Sequence, residues 1–397
     1  MMMTKKEKKR VPELRFAGFE GEWKKLELRK AASINPKNGE LPDSFIYVDL
    51  ESVNNGVLEK EERISKKDAP SRAQRLLERD DILYQTVRPY QKNNLYFDKE
   101  DKDYVASTGY AQIRTDNNSK YLYQYVHTAL FVNKVLLRCT GTSYPAINST
   151  DLSKIRVSIP SKEEQQKIAT FLTTIDTRIQ QLEKKKTLLE QYKKGVMQKI
   201  FSQEIRFKDQ DGKEFGTWEE KRLGDISTFF SGGTPRSTNK SFYKGSIPFI
   251  GSGNISDESV DSYITTEALN SSSAKMVEKD DLLYALYGAT SGEVAISKMN
   301  GAINQAVLCI RTETNKYYLY QLLKYNKNKI VETYIQGGQG NLSAKIIKDL
   351  QFKLPCLAEQ TKIAHFLSAL DRKTAVMDGQ IEKTKEWKKG LLQRMFV

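Results

Sequence analysis

Two long segments of the chain carry apolar residues at the spacing of a helix seam. In the first, an apolar residue recurs every seven positions from Ile168 onward. A second series of apolar residues, which includes Leu172 and Ile179, lies four positions further along. Ser161 and Glu164 form the S-x-x-E pattern of a capping box, and no Gly or Pro follows until Gly195. The pattern predicts a paired helix over about 162–201, on the order of 60 Å long at 1.5 Å per residue.

The second segment repeats the first. "EQQKIATFLTTID" at 164–176 returns as "EQTKIAHFLSALD" at 359–371, a shift of 359 − 164 = 195 residues. Lys193 and Lys388 interrupt the seams, which indicates a pairing short of an ideal zipper. The residues predicted to pair the helices are Ile168, Phe171, Leu172, Ile175, Ile179, Leu182, Leu189, Ile363, Phe366, Leu367, Leu370, Met377 and Ile381.

The regions before the two helices alternate between strand-like and helical patterns. Short β-rich stretches separated by turn residues predict strands at 44–50, 81–87, 246–251 and 306–312. Helical patterns cover 121–137 and 317–334. The predicted fold class is therefore α+β, with mixed globular parts followed by long helices.

The repeat extends through these globular parts. Trp23 matches Trp218 at the same shift, and "DDILY" at 80–84 answers "DDLLY" at 280–284 at a shift of 200. Small insertions that open and close are typical of loops in two copies of one fold. We therefore predict a tandem duplication with a pseudo-twofold, antiparallel pair of helices. The predicted segments are a basic disordered tip (1–10), a first domain (11–160), a central helix (161–201), a second domain (202–355) and a C-terminal helix (356–397).

Charge narrows the class of partner. Lys and Arg exceed Asp and Glu by 64 − 50 = 14, and such an excess favours a polyanion, of which nucleic acid is the leading candidate. No stretch reaches the roughly 18 apolar residues of a membrane span. Three cysteines far apart in the sequence argue against a disulfide framework or a paired zinc site. The cytoplasm is the predicted location.

Catalytic patterns are weak throughout the sequence. The two histidines, His127 and His365, do not occur at matching positions, which argues against a histidine-based mechanism. "GATSG" at 288–292 has its serine fourth rather than third for a nucleophile elbow, and no phosphate-binding loop or G-x-G-x-x-G motif occurs. We therefore predict no catalytic residues, no metal ligands and no cofactor in this chain.

Two loops have the composition of DNA-binding loops. "TVRPYQKNN" at 86–94 and "SGGTPRSTNKSFYKG" at 231–245 interleave Arg, Lys, Asn, Thr and Tyr. These side chains contact phosphates and base edges, although a solvated basic loop has the same composition. The predicted DNA-binding residues are Arg88, Tyr90, Lys92, Asn93, Tyr144, Thr234, Arg236, Ser237, Lys240, Thr290, Ser291 and Gln339.

These features together resemble the specificity subunit of a type I restriction-modification system. The resemblance rests on "PELRFAGFEGEW" (12–23), the repeated "P…EQ.KIA.FL…D" segments, "SGGTPRSTNKSFYKGSIPFIGSGNI" and "GAINQAV" (301–307), and it covers nearly the whole chain. It implies that each globular part is a target recognition domain for one half of a bipartite DNA site. It also implies that the paired helices set the spacer and dock the methyltransferase subunits.

The same resemblance places all chemistry in partner subunits. Two modification subunits would methylate adenine with S-adenosylmethionine, and restriction subunits would use ATP and Mg for translocation and cleavage. Two alternatives stay open. A self-contained enzyme predicts methyl transfer or cleavage by the purified chain alone. A coiled-coil scaffold predicts that the assembled complex shows no salt-sensitive duplex binding.

Overall fold

The computed structural model describes residues 11–37, 39–101, 103–334 and 341–397. The chain forms two compact units: unit 1 comprises Met1–Lys184 and Asp378–Val397, and unit 2 comprises Lys185–Met377. These units are defined by contacts in space, whereas the predicted domain limits come from the sequence repeat. The two divisions differ in kind, so the predicted limits stay a prediction. The predicted disordered tip, 1–10, lies outside the described residues.

Unit 1 contains two four-stranded sheets. Its strands are β1 (Lys24–Glu27), β2 (Ser33–Ile34), β3 (Ser44–Val48), β4 (Val53–Asn54), β5 (Val57–Leu58), β6 (Arg63–Ser65), β7 (Ala73–Leu76), β8 (Ile82–Gln85), β9 (Leu95–Tyr96), β10 (Tyr104–Ser107), β11 (Tyr110–Arg114) and β12 (Arg156–Ile159). Its helices are α1 (Leu28–Ala31), α2 (Ser119–Val126), α3 (Ala129–Leu136), α4 (Ser149–Ser153) and the first part of α5 (Lys162–Phe201). The sheets have the orders β6-β3-β10-β7 and β2-β11-β8-β9, and among the strands that the structure describes in this unit only β3 and β10 pair in parallel. Two further pairs, β1–β12 and β4–β5, complete unit 1.

Unit 2 repeats this topology. Its strands are β13 (Glu219–Arg222), β14 (Ser227–Ser231), β15 (Ile247–Ile250), β16 (Tyr263–Ile264), β17 (Lys275–Val277), β18 (Leu282–Ala285), β19 (Val294–Ile296), β20 (Gly301–Ile303), β21 (Val307–Thr312) and β22 (Gln351–Leu354). Its helices are α6 (Thr266–Asn270), α7 (Lys316–Tyr334), α8 (Ala344–Asp349) and the first part of α9 (Leu357–Arg394). The orders β16-β15-β20-β17 and β14-β21-β18-β19 match those of unit 1, as does the parallel pair β15–β20. The predicted α+β duplication is confirmed.

The shared "DD" motif at the start of β8 and β18 has one structural role in both units. Asp80 and Asp280 adopt the left-handed backbone, with φ of 71° and 73°, which Asp tolerates better than most residues. The next residues, Asp81 and Asp281, accept a hydrogen bond from the backbone amide three positions earlier. Each also pairs with an arginine of the neighbouring strand, β11 or β21. The motif therefore fixes the entry into an inner strand of one sheet in each unit.

The glutamate of the repeated helix motif joins the long helix to the globular body. Ser161 Oγ accepts from the Glu164 amide at 3.3 Å, as the capping box predicts. The Glu164 carboxylate, however, binds Arg15 at 2.8 Å through both oxygens instead of returning to the backbone. Glu359 binds Arg206 in the same bidentate way in unit 2. The repeated "E" is thus a buried anchor rather than a helix cap alone.

One predicted helix is interrupted. The segment 121–137 forms two helices, α2 and α3, that meet at His127 and Thr128. Thr128 Oγ1 accepts from the Phe131 amide at 3.1 Å and caps the start of α3. This local hydrogen bond competes with continuation of the helix, whereas the matching region of unit 2 forms the single helix α7.

The long helices pair antiparallel within unit 1. Asp176 of α5 pairs with Lys388 of α9, and Glu183 with Lys385, so positions rise along one helix as they fall along the other. Of the thirteen predicted pairing residues, nine are buried, namely Ile168, Leu172, Ile175, Ile179, Leu182, Ile363, Leu367, Leu370 and Ile381. Phe171, Leu189, Phe366 and Met377 are partly buried. Among the described residues, no helix is long and apolar enough to cross a membrane.

Candidate nucleic-acid interface

Four segments of unit 1 are joined by hydrogen bonds at one end of its sheets. This loop cluster 1 comprises residues 49–58, 86–94, 107–109 and 144–146. The amide of Arg88 donates to Pro145 O at 2.7 Å, and the Thr86 amide donates to Gly109 O at 3.0 Å. The Asn93 side chain donates to Val53 O at 2.5 Å and so connects the β4–β5 hairpin.

Unit 2 has a corresponding loop cluster, in which three of the four segments follow the same strands as in unit 1 and the fourth, 232–240, follows β14. This loop cluster 2 comprises residues 232–240, 251–254, 286–292 and 304–306. The Gly232 amide donates to Asn304 O at 3.2 Å, and Thr290 Oγ1 donates to Ser252 O at 3.0 Å. A matching backbone bond leads from each cluster to the following helix: Ile147 donates to Thr86 in unit 1 and Leu342 to Leu286 in unit 2. The two clusters therefore occupy equivalent positions of the repeated fold.

The predicted DNA-binding residues that the structure describes all lie in these two clusters. Arg88, Tyr90, Lys92, Asn93 and Tyr144 belong to loop cluster 1, and Thr234, Arg236, Ser237, Lys240, Thr290 and Ser291 belong to loop cluster 2. Gln339 lies outside the described residues. The structure brings the sequence candidates together unit by unit, and their role in DNA binding stays a prediction.

Several of these side chains make hydrogen bonds to neighbouring residues, although Thr234 is also exposed. Lys92 Nζ donates to His127 O at 3.1 Å. Thr234 Oγ1 donates to the Gln305 side chain at 2.5 Å, and Ser291 Oγ donates to Leu286 O at 3.0 Å. By contrast, the side chains of Arg236, Ser237 and Lys240 are exposed in loop cluster 2, and those of Tyr90 and Tyr144 are exposed in loop cluster 1.

A buried polar network beneath loop cluster 1 was not predicted from the sequence. Gln85 donates to the Gln91 side chain at 2.8 Å, and its oxygen accepts from the Asn93 amide at 3.1 Å. Asn94 accepts from the Gln85 amide at 2.8 Å and donates to His127 Nε2 at 3.2 Å. His127 lies more than thirty residues after Gln85, Gln91, Asn93 and Asn94. Because no sequence motif links them at that spacing, the network is visible only in the folded chain.

The network also fixes the protonation state of His127. Its Nδ1 lies 2.7 Å from Tyr123 O, so Nδ1 carries the proton and Nε2 accepts from Asn94. Burial lowers the pKa of His127 to about 4, a shift that the hydrogen bond to Tyr123 only partly opposes. Burial also lowers the pKa of Lys92, whose ammonium lies against the same histidine.

The lysines that interrupt the helix seams are ion-pair partners. Lys388 pairs with Asp176, whose other oxygen accepts from Gln124 of α2 at 2.7 Å. In unit 2, Lys193 pairs with Asp371, which accepts from Gln321 of α7 at 2.8 Å. Hydrogen bonds from Lys193 and Tyr317 outweigh burial and hold the pKa of Asp371 below its ordinary value. Each seam lysine thus connects the helix pair to the globular body.

Replacing Lys388 by Met is expected to lower the free energy of unfolding by about 1–2 kcal/mol, because it leaves Asp176 without its cation. The two side chains are only 17% and 28% exposed, so solvent screens the pair weakly. Chemical denaturation of the variant checks the value. Lys383→Met, at an exposed position of the same helix, is the control, and equal losses in the two variants would contradict the assignment.

The long helices carry one exposed aromatic residue at matching positions of the two units. Tyr192 of α5 is 54% exposed and Trp387 of α9 is 53% exposed, and they differ by the repeat shift of 387 − 192 = 195. Trp387 packs edge-on against Phe171, with 6.0 Å between ring centroids. Each long helix thus has an exposed ring at the same position of the repeat.

A duplicated α+β fold with one loop cluster per copy and two paired long helices defines the class of this protein. Residues 24–191 and 216–386 match the model of the type I restriction modification DNA specificity domain. The chain belongs to this family. Both matches include a globular region and much of the long helix that follows.

The curated relatives are named as specificity subunits of type I restriction enzymes. The chain is 27% identical over 263 residues to the putative type I restriction enzyme MjaX specificity subunit of Methanocaldococcus jannaschii, covering 62% of the chain and 60% of that protein. It is 25% identical over 356 residues to the HindI specificity subunit of Haemophilus influenzae, covering 70% of the chain and 76% of that protein. The chain thus spans about 60% of the length of the archaeal relative.

Solved structures share the fold at low sequence identity. The type I restriction-modification S subunit from M. genitalium has a TM-score of 0.63 at 16% identity, covering 98% of this chain and 99% of that chain. A chain from a structural study of complex assembly and conformational transition in the type I system has a TM-score of 0.59 at 20% identity, covering 94% of this chain and 97% of that chain. These matches support the fold assignment.

Proposed function

We propose that the chain is the non-catalytic DNA-recognition subunit of a type I restriction-modification complex, in which each unit reads one half of a bipartite site. The observation that carries this proposal is the pair of loop clusters on one repeated topology. The strand order is kept, while the loops differ: the β4–β5 hairpin of unit 1 has no strand counterpart between β15 and β16 in the described part of unit 2. A shared scaffold with different loops suits two readers of different sequences.

The paired helices are the proposed docking site for the catalytic partners. Tyr192 and Trp387 each offer an exposed ring at the same position of the repeat, which favours one methyltransferase subunit on each unit, two in all. Those subunits would bind S-adenosylmethionine, and restriction subunits would use ATP and Mg. The chain itself would hold no cofactor and would act in the cytoplasm, with double-stranded DNA as its nucleic-acid partner. The length of the helices would set the spacer between half-sites.

Exchange of one globular part tests this function directly. Residues 202–354 are replaced by the matching segment of another family member, and the chain is expressed with its methyltransferase in a host whose methylated adenines are then sequenced. We expect one half of the recognised site to change, while the other half stays the same. A change in both halves would contradict independent reading by the two units.

Purified chain without partners provides the control for catalysis. We expect neither methyl transfer nor cleavage of DNA from the chain alone, and methyl transfer once the methyltransferase subunits are added. Activity of the chain alone would instead support the self-contained enzyme. Salt-insensitive or absent duplex binding by the assembled complex would support the scaffold alternative.

A further inference from the structure

Arg88 occupies a backbone position that favours glycine. Its φ and ψ are both 53°, in the left-handed region, which is unfavourable for a residue with a side chain. At the repeat shift of 200 that aligns the "DD" motifs, unit 2 has Gly288, with φ of 93°. Unit 2 thus meets the backbone requirement without strain, whereas unit 1 keeps an arginine there. Lys92 has the same left-handed backbone, with φ of 55°, so the backbone alone does not distinguish Arg88. The contacts of its side chain carry the argument.

The surrounding structure holds this strained backbone in place. The Arg88 amide donates to Pro145 O at 2.7 Å, and Pro89 begins a 3-10 turn that ends at Gln91. Gln91 is fixed by the buried Gln85, which also accepts from the Asn93 amide. The loop is therefore preorganised on both sides of Arg88, so binding would not require it to order.

The Arg88 side chain is stacked and has no anionic partner. Its guanidinium carbon lies 4.2 Å from the ring centroid of Tyr144, and Tyr144 is 64% exposed. In the described part of the chain, no carboxylate forms a salt bridge with Arg88, unlike Arg15, Arg114 or Arg206. Stacking fixes the plane of the guanidinium while its N–H groups stay free at the edge of the ring.

The neighbouring candidates in the loop are already used. Lys92 Nζ donates to His127 O, and the Asn93 side chain donates to Val53 O. Arg88 is therefore the cation of residues 86–94 that remains available to a ligand. A planar, oriented guanidinium matches the O6 and N7 acceptors of guanine in the major groove. A phosphate can accept from the same fork, so the sequence preference of the variants described below distinguishes the two contacts.

We propose that Arg88, stacked on Tyr144, reads a guanine in the half-site recognised by unit 1. The proposal rests on the recognition function proposed above and names one determinant of it. Unit 2 has glycine at the matching position, so its half-site is read by other side chains. Lys92 and Asn93 shape the loop through their hydrogen bonds to His127 O and Val53 O.

The variant Arg88→Gly tests the proposal, because it gives unit 1 the glycine that unit 2 has at the matching position, Gly288. Because glycine relieves the left-handed strain, the variant is expected to fold at least as well as the original chain. The variant is expressed with its methyltransferase subunits, and methylated adenines are sequenced. One G·C position of one half-site should become degenerate, with a loss of preference of roughly tenfold or more, while the other half-site stays unchanged.

Two further variants test the planar guanidinium and the Tyr144 hydroxyl separately. Arg88→Lys keeps the charge but loses the planar fork, and should also relax that position. Tyr144→Phe keeps the ring and should leave the site unchanged. An unchanged site in Arg88→Gly, or weaker methylation at all sites without a change in sequence preference, would overturn the proposal, the second result indicating a phosphate contact. Failure of the original chain to direct methylation to a bipartite site would count against the recognition function instead.

Discussion

Replacing Glu359 by Gln is expected to destabilise unit 2 by about 3 kcal/mol, the lower end of the cost of breaking a buried ion pair. The Glu359 side chain is fully buried, and that of Arg206 is 24% exposed. Both carboxylate oxygens accept from Arg206 at 2.8 Å, and one also accepts from Trp218 Nε1 at 3.1 Å. Glutamine keeps the shape but turns an amide N–H₂ toward the guanidinium, so Arg206 loses one bond and its counter-ion.

The loss extends to the segment that precedes β13. Arg206 also donates to Gly216 O at 2.7 Å, so the same guanidinium holds the chain between α5 and the first strand of unit 2. Thermal unfolding measures the effect, at roughly 2–4 °C per kcal/mol for a unit of this size. Glu386→Gln, at an exposed position of α9, is the control. A shift no larger than that of the control would show that the pair contributes little to stability.

The sequence predicted the architecture because the repeat preserves the residues that build it. Glu164 and Glu359 recur at one spacing because each anchors a long helix to its globular body. Asp81 and Asp281 recur because each caps a turn and binds a strand arginine. Such residues have the same kind of partner in both units, so they are kept in both copies of the repeat. Comparison of the two copies within this one sequence is therefore enough to identify them.

The candidate interface was predicted only in part, for a physical reason. Composition identified the loops but not which side chains are held by other residues: Lys92 donates to His127 O and Thr234 to the Gln305 side chain, whereas Arg88 stacks on Tyr144. These contacts join segments that are tens of residues apart. Their pairing depends on loop conformation, including left-handed backbone at Arg88, which local sequence patterns do not specify.

Lowering the pH from 7 to 5 is expected to destabilise unit 1 by about 2 kcal/mol through His127 alone. The pKa of this histidine is about 4 in the folded chain and about 6.5 in an unfolded chain. Between these values the unfolded chain binds a proton that the folded chain excludes. The contribution to stability is therefore complete above pH 6.5 and is lost as the pH falls toward 4.

The charged groups around the ring support this direction. Besides burial, Lys388 of α9 and Lys92 of loop cluster 1 lower the pKa of His127, while Asp176 of α5 raises it. Protonation would also remove the acceptor at Nε2 that binds Asn94. Protonation of His127 therefore weakens the hydrogen-bond network that holds loop cluster 1.

Comparison of His127→Gln with the original chain isolates this term, because glutamine does not titrate and the carboxylates common to both chains cancel. Denaturation at pH 7, 6 and 5 should show the stability difference between the two chains shrinking by about 2 kcal/mol over this range. His365→Gln removes the other histidine, which is exposed on α9, and should leave the pH slope as it is. If His127→Gln kept the full slope, the histidine would have to be solvated in the folded chain, and the tautomer that anchors Asn94 would not be fixed by burial.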